Sequence, residues 1–204
     1  MAAITAELVK QLRDRTDAGM MDCKRALADA GGDMDKAVEL LRKAGIAKAE
    51  KKATRTVKEG KIFAAVAGGQ AVMFEVLCET DFAANNERFL AYLKDAAGRL
   101  AAYTETGDIS AVAQQREAAT LTALIAVIGE NIQLRRAVRW SAANATCACY
   151  LHMGGKLGIL LEAAGQNGDP RTLSDLCMHI AAFQPQYIVP ADIPADVVAR
   201  EKAI

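Results

Sequence analysis

The sequence predicts an α+β fold in which helices pack on antiparallel sheet. Residues 5–45 hold three short segments with apolar stripes at helical spacing. Beyond residue 60 come two runs of strand-forming residues folded about glycine turns, each followed by an amphipathic helix. A chain of 204 residues, 52% hydrophobic and only 5% aromatic, has enough apolar mass for one or two cored domains, with alanine supplying much of it.

Leu8, Val9 and Leu12 line the first helix, Met20, Cys23, Ala26 and Leu27 the second, and Val38, Leu41 and Ala44 the third. Asp33 suits the N-cap of the third helix and Gly45 its end. A bundle covering residues 1–45 has little core of its own. From Arg42 to Lys61, Lys, Arg, Ala, Thr and Glu dominate and no apolar stripe demands burial, which predicts a basic linker over 46–60, helical at its start. Arg42, Lys43, Lys48, Lys51, Lys52, Arg55, Lys58 and Lys61 also admit a nucleic-acid arm, a reading that lacks interleaved aromatics and a docking fold.

Residues 61–67 and 71–79 flank Gly68-Gly69-Gln70 and read as a hairpin. Two helices follow, over 87–102 and 111–128, striped by Phe89, Leu93, Ala96, Ala97 and Leu100 and by Leu121, Leu124, Ile125 and Ile128. Gly129 stops the second, and residues 133–140 return as a strand, closing a core N-terminal subdomain over 61–141. Residues 147–153, a Gly154-Gly155 turn, residues 156–163 and a helix over 172–183 then replay hairpin and helix. This second copy, within 142–204, has no second helix or closing strand, so it reads as a partial C-terminal subdomain.

Lys+Arg and Asp+Glu both number 25, so net charge is zero and no general attraction to nucleic acid or acidic lipid is implied. The strongly apolar stretch over 121–128 is far shorter than the ~20 residues that span a bilayer, and residues 1–10 lack a signal pattern, which predicts a cytoplasmic protein. Five scattered cysteines do not form a disulfide framework.

No enzyme constellation assembles. Gly155-Lys156 is followed by Leu157 where a P-loop needs Ser or Thr, and Tyr150 stands at its first glycine. Cys147, Cys149, His152, Cys177 and His179 superficially suggest a metal, but strand alternation puts His152 on the face opposite the two strand cysteines. No metal or cofactor is expected. Cys78-Glu79-Thr80-Asp81-Phe82 sets an acid and a large aromatic where an apolar strand stops. Two readings stand: Asp81 and Phe82 are presented outward, or Asp81 caps a helix and Phe82 lies in the core.

Leu12-Arg13-Asp14-Arg15-Thr16 followed by Ala18-Gly19-Met20-Met21-Asp22-Cys23-Lys24-Arg25-Ala26-Leu27 is long and unusual, and Thr80-Asp81-Phe82 follows in order. Ile128-Gly129-Glu130-Asn131-Ile132 with Arg135-Arg136, His152 with Gly154-Gly155-Lys156-Leu157-Gly158, and Met178-His179-Ile180-Ala181-Ala182 agree with them. Along essentially its whole length the sequence resembles the bacterial translation elongation factor Ts family, in a C-terminally truncated form. The resemblance implies that residues 1–45 are a ubiquitin-associated-like (UBA-like) module and that the core is duplicated, with an incomplete second copy. It also implies a guanine-nucleotide exchange factor that acts by binding elongation factor Tu, in its GDP-bound and nucleotide-free forms, with no direct nucleic-acid or membrane contact. On this resemblance Asp81 and Phe82 enter the nucleotide domain of elongation factor Tu near its magnesium site. Arg13, Met20 and Met21 touch the same domain, the Ile128-Gly129 turn lies near the Asp-Phe pair, and His152 faces another domain. Two departures stand out: Asp17 replaces the usual glycine, and Ala83-Ala84-Asn85 replaces Val-Ala-Arg or Val-Ala-Lys. A non-catalytic interaction or chaperone-like protein using the UBA-like module is the alternative.

Overall fold

A computed structural model describes residues 4–165 and 168–203. The expectations that touch residues 1–3 and Ile204 lie outside the described residues. Three helices open the chain: α1 (Ala6–Thr16), α2 (Met20–Asp29) and α3 (Met34–Lys52). Thr5 caps α1 by accepting from the Leu8 amide, and Asp33 caps α3 by accepting from the Asp35 and Lys36 amides. Val9, Leu12, Cys23, Ala26, Leu27 and Ala37 form a small core, with Leu8, Val38 and Leu41 packed at its margin. Met20, placed by its spacing in the stripe of α2, is instead exposed.

Gly45 does not end α3. The helix continues to Lys52 and packs on a later helix, α6 (Ser110–Ile128), so the helical start expected of 46–60 is the last two turns of α3. A Cβ at Gly45 would lie 3.2 Å from the Ala126 Cβ. The missing side chain therefore permits a close crossing, which offsets the ~1 kcal/mol that glycine costs in a helix interior. Ala49, one turn further on, is buried in the larger core.

That core is built on β1 (Glu59–Ala67) and β2 (Gln70–Cys78), joined by Gly68 and Gly69 with φ of +58° and +73°. A two-residue hairpin turn requires positive φ, which glycine adopts without steric cost. After a single helical turn, α4 (Asp81–Ala84), come α5 (Glu87–Ala101), β3 (Gly107–Asp108), α6 and β4 (Ile132–Ser141). The sheet order is β1-β2-β4-β3, with β4 antiparallel to β2 and a bulge between Glu75 and Val76. Val72, Phe74, Val76 and Cys78 alternate onto the buried face and meet Phe89, Leu93 and Leu100 of α5 and Leu121 and Ile125 of α6.

A second, two-stranded sheet pairs β5 (Ala145–His152) with β6 (Leu157–Ala164), followed by α7 (Pro170–Phe183). Asp169 caps α7, and Pro170 opens it where no amide partner is needed. This hairpin docks on β1: the Ile62 amide donates to the Gly155 carbonyl at 2.7 Å, and a Cβ at Gly158 would meet the Ile62 Cγ2 at 2.7 Å. A 3-10 turn (Pro190–Asp192) and α8 (Ala195–Lys202), neither foreseen in the sequence, close the described chain. Among the described residues no helix is long and apolar enough to cross a membrane.

Candidate functional site

The end of β2 turns sharply at Glu79 and Thr80. The Thr80 hydroxyl accepts from the Ala83 amide at 3.2 Å, so Thr80, not Asp81, is the N-cap of α4. Asp81 takes the first helical position, where a carboxylate suits the unpaired amides, and its Oδ1 accepts from the Phe82 amide at 3.0 Å. Ala83 and Ala84 face the core and are buried. With successive residues ~100° apart around a helix, that choice turns Phe82 outward: it is 84% exposed, so it takes no part in the core. An aromatic left in water forgoes roughly 1.5 to 3 kcal/mol of burial, which makes its position informative.

Three chain segments brace this corner. The Glu130 carboxylate accepts from the Glu79 amide (3.1 Å), the Thr80 amide (3.0 Å) and the Thr80 hydroxyl (2.6 Å). In return the Asn131 amide donates to Glu79 Oε1 at 2.7 Å. Asn131, itself buried, donates through Nδ2 to the carbonyls of Ala53 (3.3 Å) and Arg55 (2.7 Å), and Lys52 donates to the Gly129 carbonyl. The end of α3, the β2–α4 corner and the α6–β4 turn are thereby tied together. Burial, and after it the Glu130 carboxylate, push the Cys78 thiol up to about 11; its Sγ lies 3.1 Å from the Thr80 carbonyl, to which it donates.

The other sequence-predicted site residues fall as follows. Ile128 is half-buried against the core and Gly129 is the exposed left-handed cap of α6, with φ +85°, directly beside the brace. Arg13 is exposed in the last turn of α1, and Met20 and Met21 open α2 with 48% and 66% exposure. The N-terminal helices are held near the corner by an ion pair between Asp17 and Arg88, one turn past α4. His152 is exposed at the tip of the second hairpin, its Nδ1 2.9 Å from the Tyr150 hydroxyl. Lys156 pairs with Glu59, which lies opposite Cys78 in the sheet register, so this tip sits at the same end of the sheet as the corner.

Thr80, Glu130, Asn131 and Lys52 lie in stretches that the sequence brings to notice, but their joint role in bracing the corner was not foreseen. A threonine just past a strand with an acidic residue next to it is a readable N-cap signal. Glu130 and Thr80 are 50 positions apart, and no local pattern joins them. The five cysteines are free, with the thiols of Cys147, Cys149 and Cys177 pushed upward by burial. Among the described residues no three His, Cys, Asp or Glu side chains cluster so as to hold a metal.

By class this is an α+β protein whose braced corner holds an aromatic out to solvent. A family model described as Elongation factor TS matches residues 79–204. Similar proteins named Elongation factor Ts come from Xanthomonas campestris pv. campestris (strain B100), 47% identical over 207 residues, and Actinobacillus succinogenes, 48% identical over 204. A third, from Xanthomonas oryzae pv. oryzae (strain PXO99A), is 47% identical over 210 residues. These matches cover 98 to 100% of this chain and 69% of each relative. The chain belongs to the elongation factor Ts family.

Proposed function

We propose that this protein promotes GDP release from elongation factor Tu by inserting Asp81 and Phe82 beside the magnesium and nucleotide site of that GTPase. The exposure of Phe82 on a braced helical turn carries this reading, because an aromatic held out of the core is ready to bury itself in another protein. Transfer of that ring into a pocket offers roughly 1.5 to 3 kcal/mol. Exchange follows from reciprocity: a factor that binds nucleotide-free elongation factor Tu more tightly than the GDP-bound form weakens nucleotide by the same free energy. No covalent chemistry and no cofactor of its own enter the reading, and the protein acts in the cytoplasm.

Arg13, Met20, Met21, Ile128, Gly129 and His152 extend the contact surface. Exposed methionines at the start of α2 suit an adaptable apolar contact. We read α1, α2 and the first part of α3 as the UBA-like module, and β5, β6 and α7 as the incomplete second copy of the β1, β2 and α5 unit. Stopped-flow release of a fluorescent GDP analogue from elongation factor Tu, with and without this chain, is the test. Acceleration is expected; stoichiometric binding without acceleration would instead identify a non-catalytic interaction protein.

A further inference from the structure

We propose that Glu130 is a positioning residue for this exchange site, holding Phe82 in its outward pose through Thr80; the inference rests on the exchange reading above. An isolated helical turn has no stability of its own, since nucleation fixes several dihedral angles for one hydrogen bond. The four residues of α4 therefore take their orientation from what anchors their first turn. That anchor is the Thr80 side chain, which acts in two directions: its oxygen accepts from the Ala83 amide while its hydroxyl donates to Glu130 Oε1 at 2.6 Å. Glu130 Oε2 meanwhile takes the consecutive amides of Glu79 and Thr80. Three charge-assisted hydrogen bonds on one carboxylate fix both the backbone entering α4 and the rotamer of its cap.

Both Glu130 oxygens point into the brace, so the side chain does not itself reach a docked protein. It acts one step back. Replacing Glu130 with alanine strips the acceptor from two part-buried amides and frees the Thr80 hydroxyl, while the second brace through Glu79 and Asn131 keeps the chain folded. The corner then samples other orientations, and the fraction of molecules presenting Phe82 correctly falls. Glutamine keeps the three links with one reversed: its oxygen takes both amides and its NH2 group donates to Thr80 Oγ1, which accepts that bond beside the one from the Ala83 amide.

The test is a cycle of Glu130→Ala, Glu130→Gln, Phe82→Ala and the double variant Glu130→Ala/Phe82→Ala. GDP release from elongation factor Tu is measured at saturating factor, and thermal unfolding of each variant confirms that it is folded at the assay temperature. Glu130→Ala should slow the stimulated release about tenfold, Glu130→Gln should return it to within about threefold of the parent, and the double variant should be no slower than Phe82→Ala alone. Parental release by Glu130→Ala beside slow release by Phe82→Ala overturns the positioning role and leaves the exchange reading intact. Losses that multiply in the double variant, or a Gln variant as slow as Ala, overturn it too. If Phe82→Ala itself releases GDP at the parental rate, the wedge and with it the role of Glu130 both fall.

Discussion

Asp17, in a left-handed conformation at the end of α1, pairs through its carboxylate with the guanidinium of Arg88 in the first turn of α5. The residue that departs from the family's usual glycine thus joins the N-terminal helices to the core beside α4. Its backbone, φ +56°, costs an L-residue about 1 kcal/mol. The ion pair, with both side chains about half exposed, returns about 0 to 1 kcal/mol. The two nearly cancel, so the pair sets orientation more than stability. Asp17→Gly should change unfolding free energy by less than about 1 kcal/mol while removing the salt dependence of the α1–α5 approach. A distance probe between α1 and α5, read in low and high salt, checks it: salt should widen the spacing in the parent and not in the variant.

Gly45 provides a packing test. Because a Cβ there already approaches Ala126 closely, Gly45→Val should force α3 away from α6 and destabilise the protein by ~1 to 3 kcal/mol despite the better helix former. Chemical denaturation would measure this. A neutral or stabilising result would mean that the crossing is loose.

Much of the fold was legible because its signals are local. Stripes such as Phe89, Leu93 and Leu100, the Asp33 cap and the Gly68-Gly69 turn each specify their element within a few residues. Gly45 misled because a glycine at the end of an apolar helical stripe reads as a stop, and only the facing surface of α6, about 80 positions away, makes its smallness useful. The same distance problem hid β3, whose two residues pair with β4, and the Glu130–Thr80 bond. For the site, the pentapeptide ending in Phe82 drew attention as an interrupted strand. Whether the ring faced in or out depended on which side of one helical turn Ala83 and Ala84 occupied.

Alkaline pH should weaken the fold in a predictable window. Burial holds the Cys78 thiol protonated to about 11 against an ordinary 9.0, so the unfolded chain releases its proton first and stability is lost as pH rises from about 9 towards 11. Tyr92, pushed upward from 10.0 mainly by burial and then by Glu117, adds a loss of the same sign beginning higher. Cys78→Ala should reduce the slope of stability against pH between about 9 and 10 relative to the parent. The thiols of Cys147, Cys149 and Cys177, also pushed upward mainly by burial, contribute with the same sign. An unchanged slope would remove Cys78 from this account.

The second sheet should open before the first. Strands β5 and β6 are mostly half-buried and, among the described residues, form a sheet of two, whereas β2 is flanked on both sides by strands and covered by α5 and α6. Leu176 and Phe183 of α7 are exposed, so that helix does not complete a closed core. Native-state hydrogen exchange of the monomer should show weaker protection over residues 145–183 than over residues 61–140. Equal protection would mean that the small sheet is stabilised well beyond what its burial supplies.

Phe82 gives the sharpest test, because its two readings predict opposite patterns. At 84% exposure the ring contributes little to folding, so Phe82→Ala should barely move the unfolding transition. A buried phenylalanine would lose ~3 to 5 kcal/mol on the same change. Stimulated GDP release should instead slow by at least about tenfold, equivalent to ~1.4 kcal/mol of lost coupling. Cys23→Ala, in the small N-terminal core, and Cys147→Ala, in β5, should leave release near the parental rate, which separates loss of the wedge from general damage. A Phe82→Ala protein that melts much earlier yet exchanges nucleotide normally when folded would return the ring to the core and remove the mechanism.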